Sequence, residues 1–210
     1  MKFARSKNPD DVLAEKNLWQ IYLASLGIPD SIFNWIVAVL AGVVAGGFAF
    51  IQNGEKILEA IQDLANLGFN SAVSLLGFLI AGFTIFAASA SPSLLQLMLR
   101  KRHKKTQLIY LKYNFFTIVR VFIYFLAFAM FQLCIIAFGK KEGVFQSWAT
   151  IFEVSEDVRM KLVQATFIMS VMFWAFVMMQ LKSFVFNVYH FAMTMIKAGQ
   201  IEHAAKNEAP

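Results

Sequence analysis

Two basic residues stand where basic residues are costly. Arg120 lies within "KYNFFTIVRVFIYFLAF" and Lys182 within "MMQLKSFVF", each inside a long apolar stretch. A charge at mid-bilayer is expensive, so such residues are functional candidates until their depth is known. Arg120 precedes Phe138 by 18 residues, roughly 27 Å at about 1.5 Å per residue. Lys182 follows Leu162 by 20 residues, roughly 30 Å at the same rise. The hydrocarbon core is about 30 Å thick, which puts both charges near one edge. There they act either as anchors whose long side chains snorkel to the headgroups, or as a basic ring at a pore mouth or partner site. No Asp or Glu lies within the apolar stretches to pair with them. That argues against a proton relay, which needs acidic or imidazole groups at depth.

The densest charge is "RKRHKK" at 100–105, with Lys112 close behind. Arg100, Lys101, Arg102, Lys104, Lys105 and Lys112 form a candidate site for anionic lipid headgroups or for a cytoplasmic protein partner. Direct nucleic-acid binding fits less well, because Tyr110 and Tyr113 come only after the basic run and no stacking residues interleave it. His103, His190 and His203 match no zinc spacing. The single Cys134 allows neither an intrachain disulfide nor a Cys-based metal site. There is no P-loop, nucleotide fingerprint, nucleophile elbow or HExxH. No catalytic residue set, cofactor or metal is therefore implied, and the chain does not read as an enzyme.

What must position these groups is apolar helix. The 210-residue chain is 59% hydrophobic and only 15% charged, with 23 Phe and a net charge of +6. Soluble domains sit nearer half apolar and a quarter charged, so this is an all-α polytopic membrane protein. Four stretches reach the roughly 20 apolar residues needed to cross a bilayer: about 31–51, 71–88, 115–138 and 162–189. A cytoplasmic or interfacial segment, 1–29, precedes the membrane domain of 30–190. A basic connection, 89–114, lies inside that domain, and a tail, 191–210, follows it. "MKFARSKNPDD" has no apolar core behind its basic residues, so it is not a cleaved signal peptide.

Short amphipathic helices are expected before and between the spans. In the first, Asn8 caps the helix, Pro9 and two Asp suit its first turn, and Gly27 and Pro29 end it. It is expected to lie on the membrane surface, with Trp19 and Tyr22 at headgroup level. Ile57, Ile61, Leu64 and Gly68 make a second surface stripe. Phe145, Trp148, Ile151 and Phe152 make a third, and Ser155 caps the last span. Pro92 marks a turn or kink before an arm containing Leu94, Leu95, Leu97, Met98 and Leu99. Twelve Lys and Arg flank the spans on one side, against five on the other. The positive-inside rule then places both termini and the 89–114 connection in the cytoplasm.

Membrane helices associate through close approach at small residues. Ala38, Gly42 and Gly46 recur at steps of four in the first span. Gly77, Ala81, Thr84 and Ala88 line one face of the second. Either the adjacent helix of the hairpin or a neighbouring subunit is the partner. The third and fourth spans are rich in Phe and Met, which suits core filling, lipid contact or adaptable packing.

The stretch "SAVSLLGFLIAGFTIFAASASPSLLQLMLRKRHKK", with "LKYNFFTIVRVFIYFLAF" after it, resembles small four-span bacterial membrane proteins of phage defence, both RexB-like exclusion proteins and KwaA-like subunits of the Kiwa system. The shared layout is a glycine-containing second span, a basic cytoplasmic connection and a long third span. It implies a homo-oligomer of the bacterial inner membrane that senses infection or permeabilises the membrane together with a cytoplasmic partner. No catalytic residue carries over. The alternative expectation is an anchor or adaptor that recruits a cytoplasmic effector through residues 100–112, with no pore.

Overall fold

A computed structural model describes residues 14–88, 92–140 and 143–207. The expectations at Asn8, Pro9 and their neighbours lie outside the described residues, as do the side chains of Leu94, Leu97 and His203. Among the described residues seven helices run in chain order: α1 (Leu18–Ser25), α2 (Ile32–Ile51), α3 (Gly54–Ala88), α4 (Pro92–Arg100), α5 (Tyr110–Phe138), α6 (Val144–Ile151) and α7 (Glu156–Asn207). No strand occurs among the described residues, only an isolated antiparallel bridge between Arg102 and Ile109. Among the described residues, four stretches are long and apolar enough to cross a membrane: Ile32–Ile51, Gly54–Ile85, Tyr110–Phe138 and Glu156–Lys197. The chain is accordingly a multi-pass membrane protein.

Two boundaries differ from the sequence reading. Residues 54–88 form one 35-residue helix rather than a surface helix followed by a short span. Ile57 and Ile61 are core residues, not a surface stripe. Nothing between Gly54 and Ala88 breaks the helix: there is no Pro, and Gly68, Gly77 and Gly82 are tolerated in a helix supported by packing. Likewise α7 continues past Tyr189 to Asn207, so the helix enters what was read as a separate tail. At 52 residues it is about 78 Å long, more than twice the hydrocarbon thickness. Helix starts are set locally. Asn17 caps α1, its side chain accepting from the Gln20 N–H at 2.9 Å, and residues 14–16 are not helical. The Ser155 backbone carbonyl accepts from the N–H groups of Val158 and Arg159 in the turn that opens α7.

The contacts divide the chain into two units. One contains residues 1–29, 82–123 and 183–210; the other contains 30–81 and 124–182. The second holds the hairpin core, where Ala45 and Ala49 of α2 cluster with Ile57, Ile61 and Ala65 of α3, Ile135 of α5 and Phe167 of α7. Phe128 and Tyr124 meet Phe173 and Phe176 edge-on. In the first unit, Met98 of α4 packs with Phe191 of α7. The arm thus folds onto its own chain. Phe83 meets Phe115 and Phe122 edge-on nearby. Phe116, Phe125, Phe128, Phe167, Phe176 and Phe184 are all buried, so much of the Phe content fills the core, at geometries that favour aromatic pairs.

Candidate functional site

Residues 101–109 form a folded loop that follows Arg100, the last residue of α4, all within the first unit. The Tyr110 N–H donates to the Lys101 carbonyl at 2.8 Å, and the His103 N–H to the Leu108 carbonyl at 2.8 Å. The Gln107 N–H closes the tip by donating to the His103 carbonyl at 2.9 Å. Gln107 takes a left-handed backbone, φ 59°, which costs an L residue about 1 kcal/mol or more. Its position is held from both sides. The Gln107 amide donates to the Lys104 carbonyl at 3.0 Å, and Arg102 Nη1 donates to the Gln107 carbonyl at 3.0 Å. The His103 ring stacks on Tyr113 with centroids 4.0 Å apart and planes 10° apart. Its Nδ1 lies 3.1 Å from Thr106 Oγ1. This stack ties the loop to the first turn of α5.

The outcome is a cationic knob. Arg100, Lys101, Arg102, Lys104 and Lys105 are exposed. Lys112, the sixth member of the expected set, is not part of it. It is only 8% exposed and pairs with Glu15, with Nζ 2.6 Å and 2.9 Å from the two carboxylate oxygens. Its ammonium also lies 5.4 Å from the Phe116 ring centroid. A buried lysine needs such a counter-ion, and Glu15 lies 97 residues away in sequence. No spacing rule links the two, so only a pairing argument for a buried lysine could have raised the question.

Arg120 also turns inward. It is 5% exposed, and its Nη1 donates to the carbonyls of Ile28 at 2.7 Å and Ser25 at 3.1 Å. These carbonyls lie where α1 ends, and helix C-termini carry partial negative charge and unsatisfied acceptors. Arg120 is therefore a clasp on α1 rather than a snorkelling anchor or part of an exposed basic ring. Lys182 remains exposed, with its ammonium 4.6 Å from the Phe33 ring centroid, a cation–π contact.

Small and polar residues in the second unit sort differently from the expectation. Gly42 and Gly46 of α2 face Met172 and Ile168 of α7, and the Gln164 amide donates to the Ala49 carbonyl at 3.0 Å. Rising numbers on α2 meet falling numbers on α7, so the two helices are antiparallel. A Cβ at Gly42 would overlap Met172. The small face of the first span therefore serves contact with the fourth span as well as with the adjacent helix. Ala38 is buried on the same face. By contrast Gly77, Ala81, Thr84 and Ala88 are exposed, and nothing lies within 4 Å of a Cβ built on Gly77. Gln132 and Ser170 are fully buried and bond each other twice, Nε2 donating to Oγ at 3.0 Å and Oγ to Oε1 at 3.1 Å.

No family model matches the chain, and neither does any curated protein or solved structure.

Proposed function

We propose that this chain is a membrane anchor that recruits a cytoplasmic protein through the cationic knob at 100–105. The observation that carries the reading is five exposed cations, Arg100 at the end of α4 and four on the loop that follows, which is closed by its own backbone bonds. A disordered basic segment loses conformational entropy when it binds. A pre-organised one avoids much of that cost. Clustered like charge also raises the encounter rate with a partner of opposite sign, in a salt-dependent way. The partner therefore presents an acidic surface. In this reading the loop and both termini face the cytoplasm, in keeping with the Lys and Arg distribution, and the membrane is the bacterial inner membrane.

The layout shared with four-span phage-defence proteins gives the anchor a setting: a homo-oligomer that signals infection to its cytoplasmic partner. Recruitment is favoured over permeabilisation because three polar side chains at depth in the second unit are engaged within it, Gln132 with Ser170 and Gln164 with a backbone carbonyl. A polar path would need them to face water. The test is charge reversal. Arg100→Glu, Lys101→Glu, Lys104→Glu and Lys105→Glu combined should abolish co-purification of the partner from solubilised membranes and remove any protection against phage. A variant that inserts normally, retains its partner and still protects would rule the reading out.

A further inference from the structure

On the helix α5 of the first unit, the two basic side chains turn inward. Lys112 and Arg120 are buried, while Ile85, Val185, Phe186 and Tyr189 are exposed. Large apolar residues outside and paired charges inside suit a lipid surround rather than water. Helix α1 follows the same plan. Its Ser25 and the following Ile28 face inward, while Leu18, Trp19, Leu23 and Leu26 face out, Trp19 at 66% exposure.

The contacts also fix how α1 runs. Glu15, just before it, pairs with Lys112, and Ser25 and Ile28, at and beyond its end, accept from Arg120. Lys112 and Arg120 are eight residues apart on α5, about 12 Å along its axis. Eight-residue α1 is itself about 12 Å long. Fastened at both ends to points that far apart, α1 lies along α5 rather than across it. Since α5 is a candidate span, α1 stands steeply to the bilayer plane instead of lying flat as its sequence suggested.

We propose that α1 descends through the headgroup layer beside α5, its outer face covered by lipid, with Arg120 as the positioning residue that sets its depth. Leu18 then lies near the aqueous edge and Leu26 at the edge of the hydrocarbon. Six residues, Leu26 to Ser31, join α1 to α2, also a candidate span, so the helix cannot leave the bilayer surface. Trp19 and Tyr22, whose tilted rings lie 5.6 Å apart between centroids, are the side chains favoured at this interface. The inference does not depend on what the knob at 100–105 recruits.

Spin labels at Leu18→Cys and Leu26→Cys, each in a Cys134→Ser background and reconstituted in phosphatidylcholine–phosphatidylglycerol vesicles, test it. Accessibility to dissolved oxygen and to a water-soluble nickel chelate reports depth. The label at position 26 should favour oxygen and lie about 10 Å deeper than the label at 18, as the rise per residue and an ordinary span tilt require. Arg120→Met should collapse that difference. Equal depths would restore the flat helix, nickel access at both positions would put α1 in water, and spin–spin broadening at both would show that a second copy covers the face. Each of these three results overturns the proposal.

Discussion

Lys112 and Arg120 lie little more than two turns apart on α5, and each is held by the segment before the first span. Arg120→Met removes a charged donor from two carbonyls at the end of α1. Hydrogen bonds to charged groups contribute about 1.5–3 kcal/mol each, and buried acceptors left unmade add to the loss. The expected outcome is a destabilisation of about 2–4 kcal/mol in denaturant or thermal unfolding in detergent, with new proteolysis near residues 14–30. Lys112→Met strands Glu15 and should loosen the same segment; Glu15→Gln with Lys112→Met should be milder than Lys112→Met alone, because a stranded buried charge is the larger penalty. A double variant as unstable as the single one would show that the pair is not coupled. Gln132 and Ser170 offer a quieter case. Ser170→Ala should cost about 0.6–1.7 kcal/mol, the range for bonds between membrane helices, and Gln132→Leu on top of it should add little.

At the scale of elements, the apolar stretches were legible because hydropathy and length alone define a span. What covers each face was not. The stripe Ile57, Ile61, Leu64 and Gly68 has true helical period, yet periodicity says which face is apolar and not whether lipid, water or protein meets it. Opposite acids Glu55, Glu59 and Asp63 made it resemble a surface helix, while in the fold Ile57 and Ile61 close the hairpin core. The basic run was legible as charge, but its folding depends on a left-handed Gln107 and a His103–Tyr113 stack that composition does not announce. The two small-residue faces were legible as a pair and turned out to differ. Gly42→Leu should destabilise by about 1–3 kcal/mol, because the new side chain overpacks against Met172. Gly77→Leu meets open space within the chain and should leave unfolding unchanged. A loss of stability at position 77 as large as that at 42 would contradict this assignment. A change in detergent-corrected mass without a change in unfolding would instead place a second copy at that face.

For the whole molecule, long helices carry apolar surface into the bilayer while, among the described residues, most of the exposed charge on the first unit gathers at one loop. Such a layout holds a cationic surface close to the membrane without a separate soluble domain among the described residues. Attraction between that loop and an acidic protein should weaken as salt rises, since the Debye length falls from about 10 Å at 0.1 M to about 3 Å at 1 M. Affinity for the partner should therefore drop steeply over that range in detergent or nanodiscs, and a salt-independent affinity would point to another surface. The most direct measurement is photocrosslinking in living cells from a benzophenone side chain placed at Lys104, beside Lys105 on the loop tip. Recruitment predicts one dominant adduct to an acid-rich cytoplasmic protein, lost when Arg100, Lys101 and Lys105 are reversed to Glu. Adducts confined to lipid, unchanged by that reversal, would contradict it.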